Sequence, residues 1–290
     1  MSEVTCVDHI IIAVRDLKEA EKTYTSIFGR EPSWKGVHPG VGTGNVLYRL
    51  KNTYVELYAP IAEGANADAL KAHLDAHGEG LYGIVLGLAD AAAATEAFNA
   101  RGLKSGAPVD GKGRDEVTGA IREWRTIAMP KDEVLGLFML GIQHLSPEDA
   151  LPPAPLAAGV PEGEAVSACD HVVIMTPDAE RCKALFGGKL GIRLALDQTK
   201  PEWGVRQLFF RAGGLTIEVV EMLDKEKAPK SEGFWGIAWN VDSVAAATAR
   251  IGKAGLDVSE VRVGRKPGTE VSTIRKPTCG VPTLLIGETA

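Results

Sequence analysis

The sequence lacks the features that mark several large functional classes. Its four cysteines, Cys6, Cys169, Cys182 and Cys279, stand singly with no CxxC spacing, which disfavours a zinc knuckle or a redox pair and leaves buried or idle thiols. A basic surplus is also missing: 32 Lys and Arg against 38 Asp and Glu leave a formal charge of −6 over 290 residues. General binding to nucleic acid or to an anionic membrane is therefore not expected, since both need a basic face. No apolar run approaches the ~20 residues of a membrane span, and the stretch from Met1 to Val7 has neither the basic region nor the apolar core of a signal peptide. A cytoplasmic location and a small-molecule partner are expected. Glycine pairs such as those in VGTGN do not precede a helix, as a phosphate loop requires.

What is present is 45% hydrophobic and 24% charged residues, the composition of an ordinary globular chain long enough for two domains. The stretch from His144 to Ala168 carries Pro147, Pro152, Pro153, Pro155 and Pro161 without apolar periodicity, and reads as a linker at 146–168 between halves 1–145 and 169–290. Two repeat families cross these halves. At an offset of 162 residues DHIIIAV, from Asp8, recurs as DHVVIMT, from Asp170, and Gly29 recurs as Gly191. The same offset carries Glu56 of YVELY onto Glu218 of IEVVE, so His9 to Glu56 and His171 to Glu218 are equally spaced at 47 residues. At an offset of 153, GIVLGLADAAAATEAFNARGL from Gly83 matches GIAWNVDSVAAATARIGKAGL from Gly236. Each half thus holds one copy of each type. Every copy reads as a β-branched run, a helix ended by glycine as at Gly29, Gly102 and Gly255, and three more strands. In the first copy those strands are expected near Ser33 to Lys35, Asn45 to Leu50 and Tyr54 to Ala59.

Four βαβββ modules, at about 8–60, 80–143, 170–223 and 234–288, resemble the vicinal oxygen chelate superfamily of glyoxalases, bleomycin resistance proteins and extradiol dioxygenases. The segment GVHPGVGTGNVLYRLKNTYVELY is similar to its glyoxalase-like branch. The resemblance covers nearly the whole chain outside the linker. It implies an α+β fold in which modules pair into curved mixed sheets, with a divalent metal in the cup between them.

The same resemblance implies ligands from the first and last strands of paired modules, here His9, Glu56, His171 and Glu218. Imidazole with carboxylate suits Zn, Ni, Fe, Mn or Co and leaves positions open to water or substrate. Strand alternation supports this, because Tyr54, Glu56 and Tyr58 share the face opposite Val55, Leu57 and Ala59. The other modules carry Gly83 and Gly236 at the histidine position and, approximately, Phe138 and Leu284 at the glutamate position. The simplest arrangement then sets the first module against the third, so that all four ligands share one cup. His38 and Asn45, beside a glycine-rich turn, and Trp124 with Arg122 and Arg125 in REWRT are candidate substrate contacts, arginine offering a carboxylate a bidentate fork. His73 and His77 are four apart but read as a solvent-facing helix end, and His144 has no assigned role.

These residues suggest a metal-dependent lyase or isomerase for a small oxygenated metabolite, with Glu56 or Glu218 as base and the metal stabilising developing negative charge. Two alternatives stand beside it: a ring-cleaving dioxygenase, whose pattern Gly236 and Leu284 break, and a metal-free binding protein of the resistance type. A homodimer stays open.

Overall fold

In the computed structural model, which describes residues 3–38 and 40–289, each half forms one curved mixed sheet. The first module is β1 (Val4–Ala13), α1 (Leu17–Phe28), β2 (Trp34–His38), β3 (Thr43–Arg49) and β4 (Tyr54–Pro60). Helix α2 (Ala65–His77) leads to the second module, β5 (Gly80–Leu88), α3 (Ala91–Ala100), β6 (Val109–Arg114), β7 (Ile121–Ala128) and β8 (Phe138–His144). The second half repeats the plan with β9 (Ala168–Thr176), α4 (Ala179–Lys183), β10 (Arg193–Lys200), β11 (Val205–Ala212) and β12 (Leu215–Met222). It closes with β13 (Gly233–Asn240), α5 (Val244–Lys253), β14 (Asp257–Val258), β15 (Arg262–Val263), β16 (Thr269–Lys276) and β17 (Thr283–Glu288). Among the described residues no helix is long and apolar enough to cross a membrane.

Local chemistry sets the helix ends. The Asp16 carboxylate accepts from the backbone N–H groups of Lys18 and Glu19, satisfying two donors that open α1. Gly29 ends the helix at φ +65°, where a Cβ would also lie 2.9 Å from Val160 and 3.0 Å from Arg250. Strand β1 divides its side chains by period two. Ile10 and Ile12 join the main core beneath the helices, whereas Ile11 joins a separate apolar cluster with Val85 and Ile142 on the cup side.

The N-terminal sheet has the order β2-β3-β4-β1-β5-β8-β7-β6, and the C-terminal sheet the order β10-β11-β12-β9-β13-β17-β16-β14, with β15 on β16. This corrects the expected pairing of the first module with the third. β1 lies antiparallel to β5, with His9 opposite Val85 and Ile11 opposite Gly83, and β9 lies antiparallel to β13. Each first strand already gives one edge to its own closing strand, β4 or β12, in parallel register. Its other edge needs a partner, and the module next in sequence supplies one, by way of α2 in the first half.

The two halves share one continuous core. Phe28 at the end of α1 packs edge-on against Trp239 of β13 at 5.0 Å, and Arg250 of α5 donates to the carbonyls of Ser26 and Ile27. The proline-rich stretch after β8 is an ordered strap. Leu151, Ala154, Ala165 and Val166 are buried along it, and Arg30 donates to the carbonyls of Ala154 and Val166.

Candidate active site in the N-terminal cup

Strands β1, β3 and β4 bring His9, Asn45 and Glu56 together on the concave face of the first sheet. The Asp8 carboxylate accepts from His9 Nδ1 at 2.8 Å. An ionised carboxylate can only accept, so Nδ1 carries the proton, and in the neutral ring Nε2 presents its lone pair. That nitrogen lies 3.5 Å from Glu56 Oε2, while Asn45 Nδ2 holds Glu56 Oε1 at 2.7 Å. Two electron-pair donors therefore face each other across a gap wider than the ~2.7–2.9 Å of a charge-assisted hydrogen bond. Two ligands about 2.1 Å from one ion, at a tetrahedral angle, would sit about 3.4 Å apart. The pair fits a divalent cation as two of its ligands, and Asn45 Oδ1, buried without a hydrogen-bond partner, is a further oxygen beside it.

Burial alone would raise the Asp8 carboxyl, but hydrogen bonds from His144 and His9 overcome it and hold the group well below the usual carboxylate range. His144 Nε2, at the end of β8, lies 2.9 Å from the second Asp8 oxygen. His9 stacks on Tyr54 with ring centroids 4.4 Å apart, and burial pushes the Tyr54 phenol well up. The enclosing cavity has a volume of about 320 Å³, within the range of ~300–1,000 Å³ for small-ligand sites. Tyr58, Val85, Trp124, Phe138, Leu140 and Ile142 give it largely apolar walls.

The second sheet repeats the constellation. His171 Nδ1 lies 2.8 Å from Asp170, His171 Nε2 lies 3.4 Å from Glu218 Oε2, and Gln207 Nε2 donates to Glu218 Oε1 at 2.6 Å. This cup is the more open at its histidine, whose side chain is 20% exposed against 8% for His9. The four expected ligands thus form two separate pairs, and the N-terminal cavity is lined by no residue of the second half. Among the described residues no three His, Cys, Asp or Glu side chains gather into a metal-binding group. Each cup offers one facing imidazole–carboxylate pair, and the N-terminal cup adds His38 to its lining.

The remaining candidates divide. His38 lines the cavity, with Nδ1 3.0 Å from Thr43 Oγ1 and Nε2 3.4 Å from the Asn45 amide nitrogen. Trp124 lines it too, but Arg125 points to the opposite face of β7 and pairs with Asp110 at 2.9 Å. Its neighbour Arg122 is the arginine of the cup, 6% exposed. By strand register, with Phe138 beside Gly83 as Tyr54 is beside His9, the counterpart of Glu56 is Leu140 rather than Phe138. Both are apolar, and a Cβ at Gly83 would come within 2.6 Å of Phe138, so no ligand histidine fits there. His73 and His77 sit on α2 outside the cavity lining. Asp8, Asp170 and Gln207 were not singled out from the sequence, although the 162-residue offset that pairs the histidines also carries Asp8 onto Asp170 and Asn45 onto Gln207.

Residues 7–161 match the family model of the glyoxalase-like domain, and residues 170–273 that of the glyoxalase/bleomycin resistance protein/dioxygenase superfamily. The chain belongs to the vicinal oxygen chelate superfamily. That superfamily comprises metal-dependent enzymes of glyoxalase, dioxygenase and epimerase type, which generally use divalent ions. Among solved structures, a mutant of 4-hydroxymandelate synthase from Streptomyces coelicolor aligns with a TM-score of 0.70 at 15% identity, over 100% of this chain and 94% of that one. A hypothetical protein from Staphylococcus aureus aligns at 0.65 and 11% identity, over 96% and 97%. A fusion of a xylose isomerase-like TIM barrel with 4-hydroxyphenylpyruvate dioxygenase aligns at 0.63 and 14% identity, over 100% of this chain and 50% of that chain. At these identities the likeness is one of fold. A search of curated proteins gives no match.

Proposed function

We propose that this vicinal oxygen chelate protein is a lyase or isomerase of glyoxalase type that abstracts a proton beside a carbonyl of a small oxygenated metabolite, in its N-terminal cup. The observation that carries this reading is the state of Glu56, a carboxylate 9% exposed in an apolar-walled cavity with one oxygen fixed and the other facing His9. Asn45 orients the group by holding Oε1, which leaves Oε2 as the atom that takes and returns the proton once it is detached from any cation it shares with His9. Asp8 keeps His9 in the tautomer whose Nε2 lone pair points inward. The aromatic and aliphatic walls exclude water from the reacting atoms. His9 and Glu56 would hold a divalent cation, with His171 and Glu218 as a second such pair. When bound, the ion would supply Lewis-acid stabilisation of negative charge on a substrate oxygen.

The lack, among the described residues, of a third His, Cys, Asp or Glu gathered at either His–Glu pair favours, as a second reading, a binding protein without turnover. A ring-cleaving dioxygenase is disfavoured, because a side chain at Gly236 would meet the Pro282 carbonyl at 2.7 Å and position 284 is a leucine. Deuterium exchange separates the readings. Metal-supplemented protein in D2O with a panel of small 2-oxo acids should wash out the proton beside the carbonyl of at least one of them, read by proton NMR. Glu56→Gln should abolish that exchange while Glu218→Gln retains it. Full exchange by Glu56→Gln would remove this residue as the base, and no exchange by the wild type would leave the binding reading.

A further inference from the structure

The cup contains a charge that the proposed proton transfer does not use. Arg122 on β7 is 6% exposed, lines the cavity, and forms no ion pair with a carboxylate among the described residues. Its guanidinium instead lies over two aromatic rings, 5.5 Å from the centroid of Trp34 and 5.3 Å from that of Tyr54. A buried cation without a counter-ion is costly, and π faces offset only part of that cost. Two half-buried arginines on this side of the molecule are occupied: Arg30 bonds Glu162 and two carbonyls, and Arg49 bonds Glu148 and two carbonyls. Arg122 alone among these three is left without an anionic partner.

We infer that the N-terminal cup is built for a carboxylate, gripped by the Arg122 fork between Trp34 and Tyr54, on a ligand whose planar or apolar body lies against Trp124 and Phe138. This deepens the functional reading of the same cup, and it rests on that reading only for the choice of cavity. Two observations favour a carboxylate over a phosphate. Arg122 is the one buried cationic side chain in the lining, Arg114 at the rim being exposed. The slot is bounded by flat rings, which suit a planar anion. Arg122 also borders an adjoining cavity of about 390 Å³ on the side of Arg49 and Lys51, but of the two rings over the guanidinium only Tyr54 reaches that space, whereas both line the first. The stack also links binding to chemistry, because Tyr54 that supports Arg122 is the ring on which His9 stacks.

The test is calorimetric titration of chelator-treated full-length protein with benzoate and its near-isosteric neutral analogue benzamide, with phenylphosphonate as a third arm. The wild type should bind benzoate at least about tenfold more tightly than benzamide or phenylphosphonate. Arg122→Met should remove that preference while leaving benzamide binding unchanged, which also shows the variant folded. Arg122→Lys, which keeps the charge but not the fork, should recover only part of it. Equal binding of benzoate and benzamide, no benzoate binding at millimolar concentration, or a preference that survives Arg122→Met would each overturn the inference, and phenylphosphonate binding as tightly as benzoate would overturn the choice of carboxylate. The readout is binding without turnover, so loss of deuterium exchange as a function would leave this result standing, and the reverse holds equally.

Discussion

His9 is oriented by the residue immediately before it in the chain. Neighbours on a strand normally face opposite sides, yet Asp8 Oδ1 reaches His9 Nδ1 at 2.8 Å while its other oxygen meets His144 at 2.9 Å. Outer partners of a liganding histidine fix its ring and tautomer, and their loss costs about 10- to 100-fold in metal affinity or activity. Asp8→Ala should therefore weaken cation binding at the His9–Glu56 pair by that factor, with unchanged circular dichroism; calorimetric titration checks it. The histidines and glutamates were legible because a repeat carries them twice at equal spacing, which an isolated residue cannot do. Of the two arginines named beside Trp124, only Arg122 lines the cup. Trp124 and Arg125 are adjacent on β7 and must face opposite sides, so strict use of alternation joins Trp124 to Arg122 instead. That this arginine is buried against Trp34 and Tyr54, with no carboxylate partner among the described residues, is visible only in the structure.

At the scale of elements, α1 does two jobs, covering the first sheet and docking on the second. Phe28 is fully buried against Tyr24, Tyr48 and Trp239, so Phe28→Ala should cost about 3–5 kcal/mol of stability in denaturant titration. Arg250 caps the end of the same helix from α5 by donating to the carbonyls of Ser26 and Ile27. Arg250→Met leaves those acceptors without their donor and should cost about 1–3 kcal/mol by the same measurement. Strand and helix order could be read from period and punctuation, because those are local properties. Which first strands join edge to edge could not. A 162-residue offset between His9 and His171 is indifferent to whether β1 meets β9 or β5, and the free edge of β1 beside the nearby β5 decides it.

For the whole molecule, duplication has left two equivalent Asp–His–Glu–amide sets in two sheets, one lining a cavity beside an arginine that lacks a carboxylate partner and one more open at its histidine. The depleted modules supply walls: Phe138 and Leu140 close the first cup where ligands would otherwise stand. The chain holds two separate His–Glu pairs rather than one four-ligand centre. Calorimetric titration of metal-free protein with Ni2+ tests it directly, using the wild type, Glu56→Gln and Glu218→Gln. Two independent pairs give two binding events in the wild type and the loss of a different one in each variant; a single event abolished by either substitution would mean one shared centre.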